Sequence, residues 1–181
     1  SVEEYRVIYT ALRTFHKQTP NEKSAATRET LRNYVLFLAN TGVRHGTEAL
    51  GLTWRNIEWY ERDGERYLAV NVDGKTNKRT AIARDSVENS LWRQAQLNPR
   101  IAVADFDSLI AAKLDEPVFT TRLSETVTVH NLNRAFNALL DELDLKTGAD
   151  GRTRTLYSFR HFYATLNLER GVTTHALSRQ L

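Results

Sequence analysis

Apolar residues recur at helical spacing along most of the chain. Ser1 and Glu4 form a capping-box pattern at the start of a first helix, which we expect to stop before Pro20. A second helix is predicted from about Thr27, after a polar loop over 18–25, to Gly42, where a C-terminal glycine is expected. Apolar residues at helical spacing predict further helices near 86–97, 107–113, 131–143, 158–171 and 175–181.

The segment between 57 and 83 has a different pattern, in which apolar and polar residues alternate. Asp63-Gly64 and Asp73-Gly74 are strong turn signals, and they divide this segment into three short strands. The second turn is basic and contains Lys75, Lys78 and Arg79. We therefore predict an α+β fold, mostly α-helical, with a small three-stranded antiparallel sheet.

Composition limits the possible classes of protein. The chain has 181 residues, enough for one domain, with 25 Lys and Arg against 22 Asp and Glu. It has no cysteine, which excludes disulfides and thiol nucleophiles and is compatible with the cytoplasm. Its longest apolar run, 34–39, is too short to cross a membrane, and no signal peptide pattern precedes it. Because the chain begins with Ser1 rather than methionine, we interpret it as a segment of a longer protein.

Cations are the strongest candidates for functional chemistry. The sequence lacks nucleotide-binding glycine motifs and hydrolase motifs, and its histidines lack metal-ligand spacing. Arg44 lies on a glycine-flanked turn between two predicted helices, and Arg160 lies in the first turn of another. Guanidinium groups fixed in this way suit a phosphate or a carboxylate, although for Arg44 taken alone we favour capping of the preceding helix or pairing with Glu48.

Aromatic residues surround Arg160 in the sequence. Tyr157 stands three residues before it, close enough for both side chains to reach one oxyanion, and a helix N-terminus itself favours an anion. We expect Tyr163 to lie in the core, because aromatic side chains at helical spacing usually pack. For the same reason we expect His161 to be a buried, hydrogen-bonded histidine.

Three motifs occur in order: Thr41-Gly42-Val43-Arg44 with 48–52 and Trp54, then Gly74-Lys75-Thr76, then 157–161 with Ala164-Thr165. This series resembles the catalytic domain of the tyrosine recombinase (phage integrase) family over nearly the whole chain. The resemblance implies that Arg44 and Arg160 are the two catalytic arginines and that Lys75 protonates the leaving 5′-oxygen. Tyr157 occupies the position where the family most often has histidine.

The reaction implied by the resemblance is DNA breakage and rejoining through a 3′-phosphotyrosyl intermediate, without a metal or another cofactor. The partner would be double-stranded DNA at a specific recombination site, with self-association in the full-length parent. The resemblance also implies a bacterial or phage-encoded cytoplasmic protein associated with the nucleoid. We expect residues 1–181 to be a catalytic-domain fragment that lacks the amino-terminal DNA-binding domain and the carboxy-terminal tail with the nucleophilic tyrosine. This chain alone should then be inactive.

Two other functions remain open. One is a non-enzymatic DNA-binding or assembly module on the same fold, and the other is a relative of type IB topoisomerases, which share the chemistry. The basic residues outside the catalytic set could line a DNA groove, or they could be solvated loop residues: Lys78, Arg79, Arg152 and Arg154.

Overall fold

The computed structural model describes residues 1–73, 78–84 and 86–181. Helix α1 spans Val2–Leu12, and the predicted capping box of Ser1 and Glu4 forms at its start. A short 3-10 turn, Phe15–Gln18, leads into α2, Glu22–Thr41. Helix α2 is the centre of the domain, because residues 33–41 are all buried and it packs against α1 and three later helices.

The sheet follows α2 and a short helix, α3, Thr47–Leu50. Strands β1, Ile57–Arg62, and β2, Glu65–Asp73, pair antiparallel from Ile57 opposite Val70 to Arg62 opposite Glu65. Strand β3, Lys78–Ile82, pairs with the other edge of β2. Asp63 and Gly64 both have positive φ, 54° and 79°, as expected for the tight hairpin predicted there.

The second half of the chain is helical. After β3 come α4, Val87–Leu97; α5, Phe106–Ala111; α6, Val129–Glu142; α7, Ser158–Glu169; and α8, Thr174–Gln180. The three helices that pack on α2 are α4, α6 and α7, whereas α8 contacts α7 and β3. This arrangement brings α8 to the end of α2, next to the sheet.

The predicted fold class is confirmed, but some boundaries differ. Helix α2 begins at Glu22 rather than near Thr27, because the Asn21 side chain caps it by accepting a hydrogen bond from the Ser24 N–H. Strand β3 starts at Lys78, two residues earlier than predicted, where it pairs with Asp73. The last helix begins at Thr174, one residue earlier than predicted, and is capped by Thr173.

Candidate functional site

The turn that carries Arg44 is fixed by glycine and by a buried tyrosine. Gly42 ends α2 with φ of 67°, and Gly46 has φ of 97°, a conformation that side chains with a Cβ rarely adopt. The Tyr34 hydroxyl accepts a hydrogen bond from the Gly46 N–H at 3.3 Å and lies 2.8 Å from His45 Nδ1. Because Tyr34 is fully buried, it holds the turn against the core.

Glu48 binds two arginines at once. Its carboxylate accepts from Arg79 Nη1 at 3.0 Å and Nη2 at 2.7 Å, which is a bidentate pair. It also accepts from Arg44 Nη1 and from the Arg44 main-chain N–H, both at 3.1 Å. Burial opposes ionisation of Glu48, but hydrogen bonds from Arg79 and the Arg44 main chain outweigh it, and its pKa lies below the usual value. Glu48 is therefore a carboxylate at neutral pH.

Arg160 lies in the first turn of α7 and is buried. Its Nη1 donates to the Gly42 carbonyl oxygen at 2.7 Å, and its Nη2 donates to the Leu181 carbonyl oxygen. Burial lowers the pKa of Arg160, and the nearby positive charges of Arg44 and Arg79 lower it further. The structure thus brings three arginines from the turn, β3 and α7 to the end of α2. We call Arg44, Glu48, Arg79 and Arg160 the Glu48 cluster.

The last turn of α8 completes this arrangement. The Gln180 carbonyl oxygen accepts from Arg79 Nε at 3.0 Å, so each hydrogen-bonding side of the Arg79 guanidinium has a partner. The Gln180 side chain accepts from the Tyr163 hydroxyl at 2.8 Å. Helix α8 is therefore attached to the cluster through its main chain and to α7 through the Gln180 side chain.

Of the other predicted catalytic residues, one lies outside the described part of the chain. This is Lys75. Tyr157 is described, and 44% of it is exposed. Its ring packs edge-on against His161 at 5.4 Å between centroids, and it lies near enough to Arg160 to affect the pKa of that arginine. Tyr163 is buried, as predicted, but the prediction that His161 is buried is wrong, because α7 turns that side chain outward.

The four residues predicted to contact DNA have different surroundings. The side chains of Lys78 and Arg152 are 87% and 88% exposed, with Asp73 and Asp150 at 3.9 and 3.7 Å. Arg79 is instead enclosed in the Glu48 cluster, with an 11% exposed side chain. Arg154 donates to the Leu145 carbonyl at 3.0 Å and pairs with Glu4 on α1. Contact of these four residues with DNA stays a prediction, for which Lys78 and Arg152 are the accessible candidates.

Sequence reasoning did not assign a functional role to Glu48 or Gln180. The spacing of Arg44 and Glu48 suggested that these two residues could pair, and they do. The pairing of Glu48 with Arg79 joins distant parts of the chain and leaves no local pattern. Gln180 is an ordinary polar residue of an amphipathic helix, and only its place in the fold shows its contacts.

The electrostatic character of the Glu48 cluster suits an anion. Three guanidinium groups against one carboxylate leave a formal charge of +2. The Arg44 side chain is 42% exposed and is therefore accessible to a ligand while Glu48 holds it in place. Bidentate donors held in this way recognise phosphate well.

Within residues 1–73, 78–84 and 86–181, no group of three or more His, Asp or Glu side chains could hold a metal ion. Within those same ranges, none of the helices has the length and apolar character needed to cross a membrane.

The structure is a helical domain with a small antiparallel sheet and, at the end of its central helix, three arginines grouped around one carboxylate. Among solved structures, the chain is similar to the Tn1549 transposon integrase in complex with a circular intermediate DNA. The TM-score is 0.62 and the identity 13%, over 99% of this chain and 56% of that one. A second complex of the same integrase with circular intermediate DNA gives a TM-score of 0.55 at 16% identity, over 93% of this chain and 53% of that one.

These comparisons show an integrase-like fold. The chain spans about half the length of the solved integrase structures that it matches. No protein-family model and no curated protein matches its sequence.

Proposed function

We propose that this chain is the catalytic domain of a site-specific tyrosine recombinase or integrase. The observation that carries the proposal is the position of Arg44 and Arg160, which come from distant parts of the sequence and lie together at the end of α2. An integrase-like fold and the DNA in the neighbouring structures support it. The substrate would be double-stranded DNA at a recombination site.

The Glu48 cluster would stabilise charge on the scissile phosphate. A tyrosine hydroxyl attacks the phosphorus, a 3′-phosphotyrosyl bond forms, and the 5′-oxygen leaves with a proton. Negative charge grows on the non-bridging oxygens, where Arg44 and Arg160 would supply preorganised donors. Glu48 would keep Arg44 oriented, and Arg79 would hold Glu48 in turn.

Lys75 and Tyr157 have less direct support. We propose Lys75 as the donor of the proton to the leaving 5′-oxygen, on the basis of its motif. Tyr157 is exposed and near Arg160, which would let its hydroxyl bind the same phosphate. Both roles rest on the sequence motifs.

The nucleophilic tyrosine is proposed to follow Leu181 in the parent protein. Tyr163 is a poor candidate because it is buried and its hydroxyl donates to Gln180. We therefore expect residues 1–181 alone not to cleave DNA.

The test is a nicked suicide DNA substrate offered to the full-length parent protein, with covalent protein–DNA adduct measured on denaturing gels. We expect adduct with the parent and almost none with its Arg44→Ala variant. The matched control is Arg134→Ala, an exposed arginine on α6 without an ion pair among the described residues. Equal adduct yield from the parent and from Arg44→Ala would refute the catalytic assignment.

A non-enzymatic DNA-binding module is the second candidate, and one observation favours it. Arg160 is buried, and two of its five N–H groups already donate to main-chain oxygens, of Gly42 and Leu181, so fewer donors are left for a phosphate. A parent that binds its DNA without forming any adduct would support this candidate. Relaxation of supercoiled DNA without strand exchange would instead indicate a topoisomerase.

DNA contact by Lys78 and Arg152 can be tested separately. We expect the affinity of the domain for duplex DNA to fall steeply between low and moderate salt, because bound phosphates release counterions. Replacing both residues by glutamine should make that dependence shallower by about two in the log–log slope. An unchanged slope would contradict their role.

A further inference from the structure

A second group of arginines lies away from the Glu48 cluster, where α1, α2 and α4 meet. Arg13 follows α1, Arg32 lies on α2 and Arg93 lies on α4; we call them the Arg32 group. Arg13 donates to the Tyr9 hydroxyl at 2.8 Å and lies over the Tyr9 ring at 4.7 Å. Arg93 donates through Nε to Asn33 at 3.2 Å. The Arg32 Nε is buried and has no hydrogen-bond partner.

The Arg32 group forms no salt bridge with a carboxylate of the described residues. None of the salt bridges within the described ranges involves its members, nor Arg6 or Arg170 nearby. Burial lowers the pKa of Arg93, and the positive charges of Arg32 and Arg13 lower it further. Like charges so arranged repel each other, and an anion bound among them would remove that cost.

A cleft of about 680 Å³ continues from Arg93 and Tyr9 between α1, α2, α4 and α7. Arg6 and Arg170 also line it, and among the lining residues that the structure describes there is no Asp or Glu. Its aromatic side chains form one wall, in which the Tyr5 ring stacks on Phe162 at 4.6 Å and on Tyr9 at 6.3 Å. The volume is within the usual range for small-ligand sites.

We propose that this cleft binds nucleotide units, with a phosphate on the Arg32 group and a base against the Tyr5–Tyr9 wall. Arginine forks match phosphate geometry, and aromatic faces beside them stack on bases of any sequence. The amide side chains of Asn40 and Asn89 line the same cleft and could hydrogen-bond a base edge. The aromatic rings and amide side chains of the cleft favour a nucleotide over an acidic peptide, because an acidic peptide would need only the positive charges of the arginines.

This site is independent of the proposed recombinase activity. Its described lining residues come from α1, α2, α4, α7 and the segments next to α4 and α7, and none of them belongs to the Glu48 cluster. The ligand could be a free nucleotide or a nucleotide within a single strand. Both have the same chemistry, and the experiment separates them.

The experiment measures binding of ATP by calorimetry and of a labelled twelve-nucleotide oligothymidylate by fluorescence anisotropy, at low salt. The protein is residues 1–181 carrying Arg44→Ala, so that binding at the Glu48 cluster is weakened. We expect Arg13→Gln to lower affinity about tenfold, the usual effect of losing one charge-assisted hydrogen bond. Arg134→Gln is the matched control and should bind normally.

Arg13 is exposed, so its replacement should not unfold the domain, and a thermal melt verifies this. Dependence on Arg13 with ATP assigns the site to free nucleotides, and dependence with the oligonucleotide alone assigns it to a strand; both support the proposal. Unchanged affinity of Arg13→Gln for both ligands would overturn it. Equal competition by a glutamate-rich peptide would also overturn it, in favour of an acidic protein partner.

Discussion

The two arginine sites of this domain differ in how their charge is balanced. In the Glu48 cluster, a buried carboxylate and main-chain carbonyls hold three arginines in fixed geometry. In the Arg32 group, three arginines meet, and their hydrogen-bond partners among the described residues are the neutral side chains of Tyr9 and Asn33. The first site is arranged before any ligand binds, whereas the second retains a repulsion that a ligand could relieve.

The two sites therefore differ in how rigidly their arginines are held and in how strongly they attract anions. A carboxylate partner such as Glu48 reduces the net positive charge of a site, but it also fixes the orientation of the arginine N–H donors. Donors with a fixed orientation stabilise a transition state of defined shape. Unpaired arginines attract anions more strongly and position them less well. The Glu48 cluster is therefore suited to chemistry, and the Arg32 group to binding.

The largest expected effect tests the chemical role of the first site. Replacing Arg160 by alanine in the full-length parent should raise the barrier to DNA cleavage by about 3–4 kcal/mol, as for the loss of one preorganised oxyanion donor. Single-turnover cleavage of the suicide substrate measures it. Arg93→Gln, in the second site, should cleave at the normal rate. Equal losses in both variants would mean that the two sites do not differ in function.

The next effect concerns stability. Glu48→Gln leaves Arg79 enclosed without its carboxylate, and we expect the free energy of unfolding to fall by about 3 kcal/mol. Urea denaturation of residues 1–181 measures it. Glu61→Gln, an exposed carboxylate on β1, is the control and should change stability by less than about 0.5 kcal/mol. A small effect at Glu48 would show that the cluster is looser than its geometry indicates.

Local patterns predicted the framework of the first site. The glycine at the end of α2, the hairpin at Asp63-Gly64 and the helix that carries Arg160 all follow from nearest-neighbour chemistry. The early start of α2 was missed, since its first turn is polar and its only signal is the Asn21 cap. Such a cap contributes stability without forming an apolar stripe.

The third prediction tests whether Gly42 is required for its conformation or for the space around it. A Cβ at Gly42 would lie 2.5 Å from Tyr163 Cδ1 and 2.7 Å from Leu181 Cδ2, in addition to the strain of a φ of 67°. Gly64 has a φ of 79° with nothing within 4 Å of such a Cβ. Gly42→Ala should therefore destabilise by about 2 kcal/mol or more, and Gly64→Ala by about 1 kcal/mol. An equal loss of stability in the two variants would show that Tyr163 and Leu181 move aside to make room for the added Cβ at Gly42.

The fourth prediction concerns pH. The pKa of Glu48 in the folded domain lies below its ordinary value of 4.5, so its ionised form stabilises the fold. That contribution is complete above the unfolded pKa and is lost as the pH falls through the folded one. The stability difference between wild type and Glu48→Gln should thus shrink between about pH 6 and pH 3. Urea titrations at several pH values measure it, and a constant difference would contradict the pairing.

Long-range pairs account for what the sequence did not predict. The partners of Arg79 and Arg154 are Glu48 and Glu4, which lie far away in the chain. Both arginines were predicted as DNA contacts, because a basic loop residue has the same local pattern whether it faces a ligand or a carboxylate of the same chain. Only the fold, which brings Glu48 to Arg79 and Glu4 to Arg154, distinguishes these cases.

The smallest effect tests the second site directly. Arg32→Gln removes one of three repelling charges together with the unpartnered Nε, so we expect the unfolding free energy at low salt to rise by about 0.5 kcal/mol. The gain should disappear at high salt, where screening weakens the repulsion. Arg79→Gln, the corresponding change in the Glu48 cluster, should instead destabilise at both salt concentrations. If Arg32→Gln destabilises to the same extent, the Arg32 group has a stabilising partner, and the contrast between the sites fails.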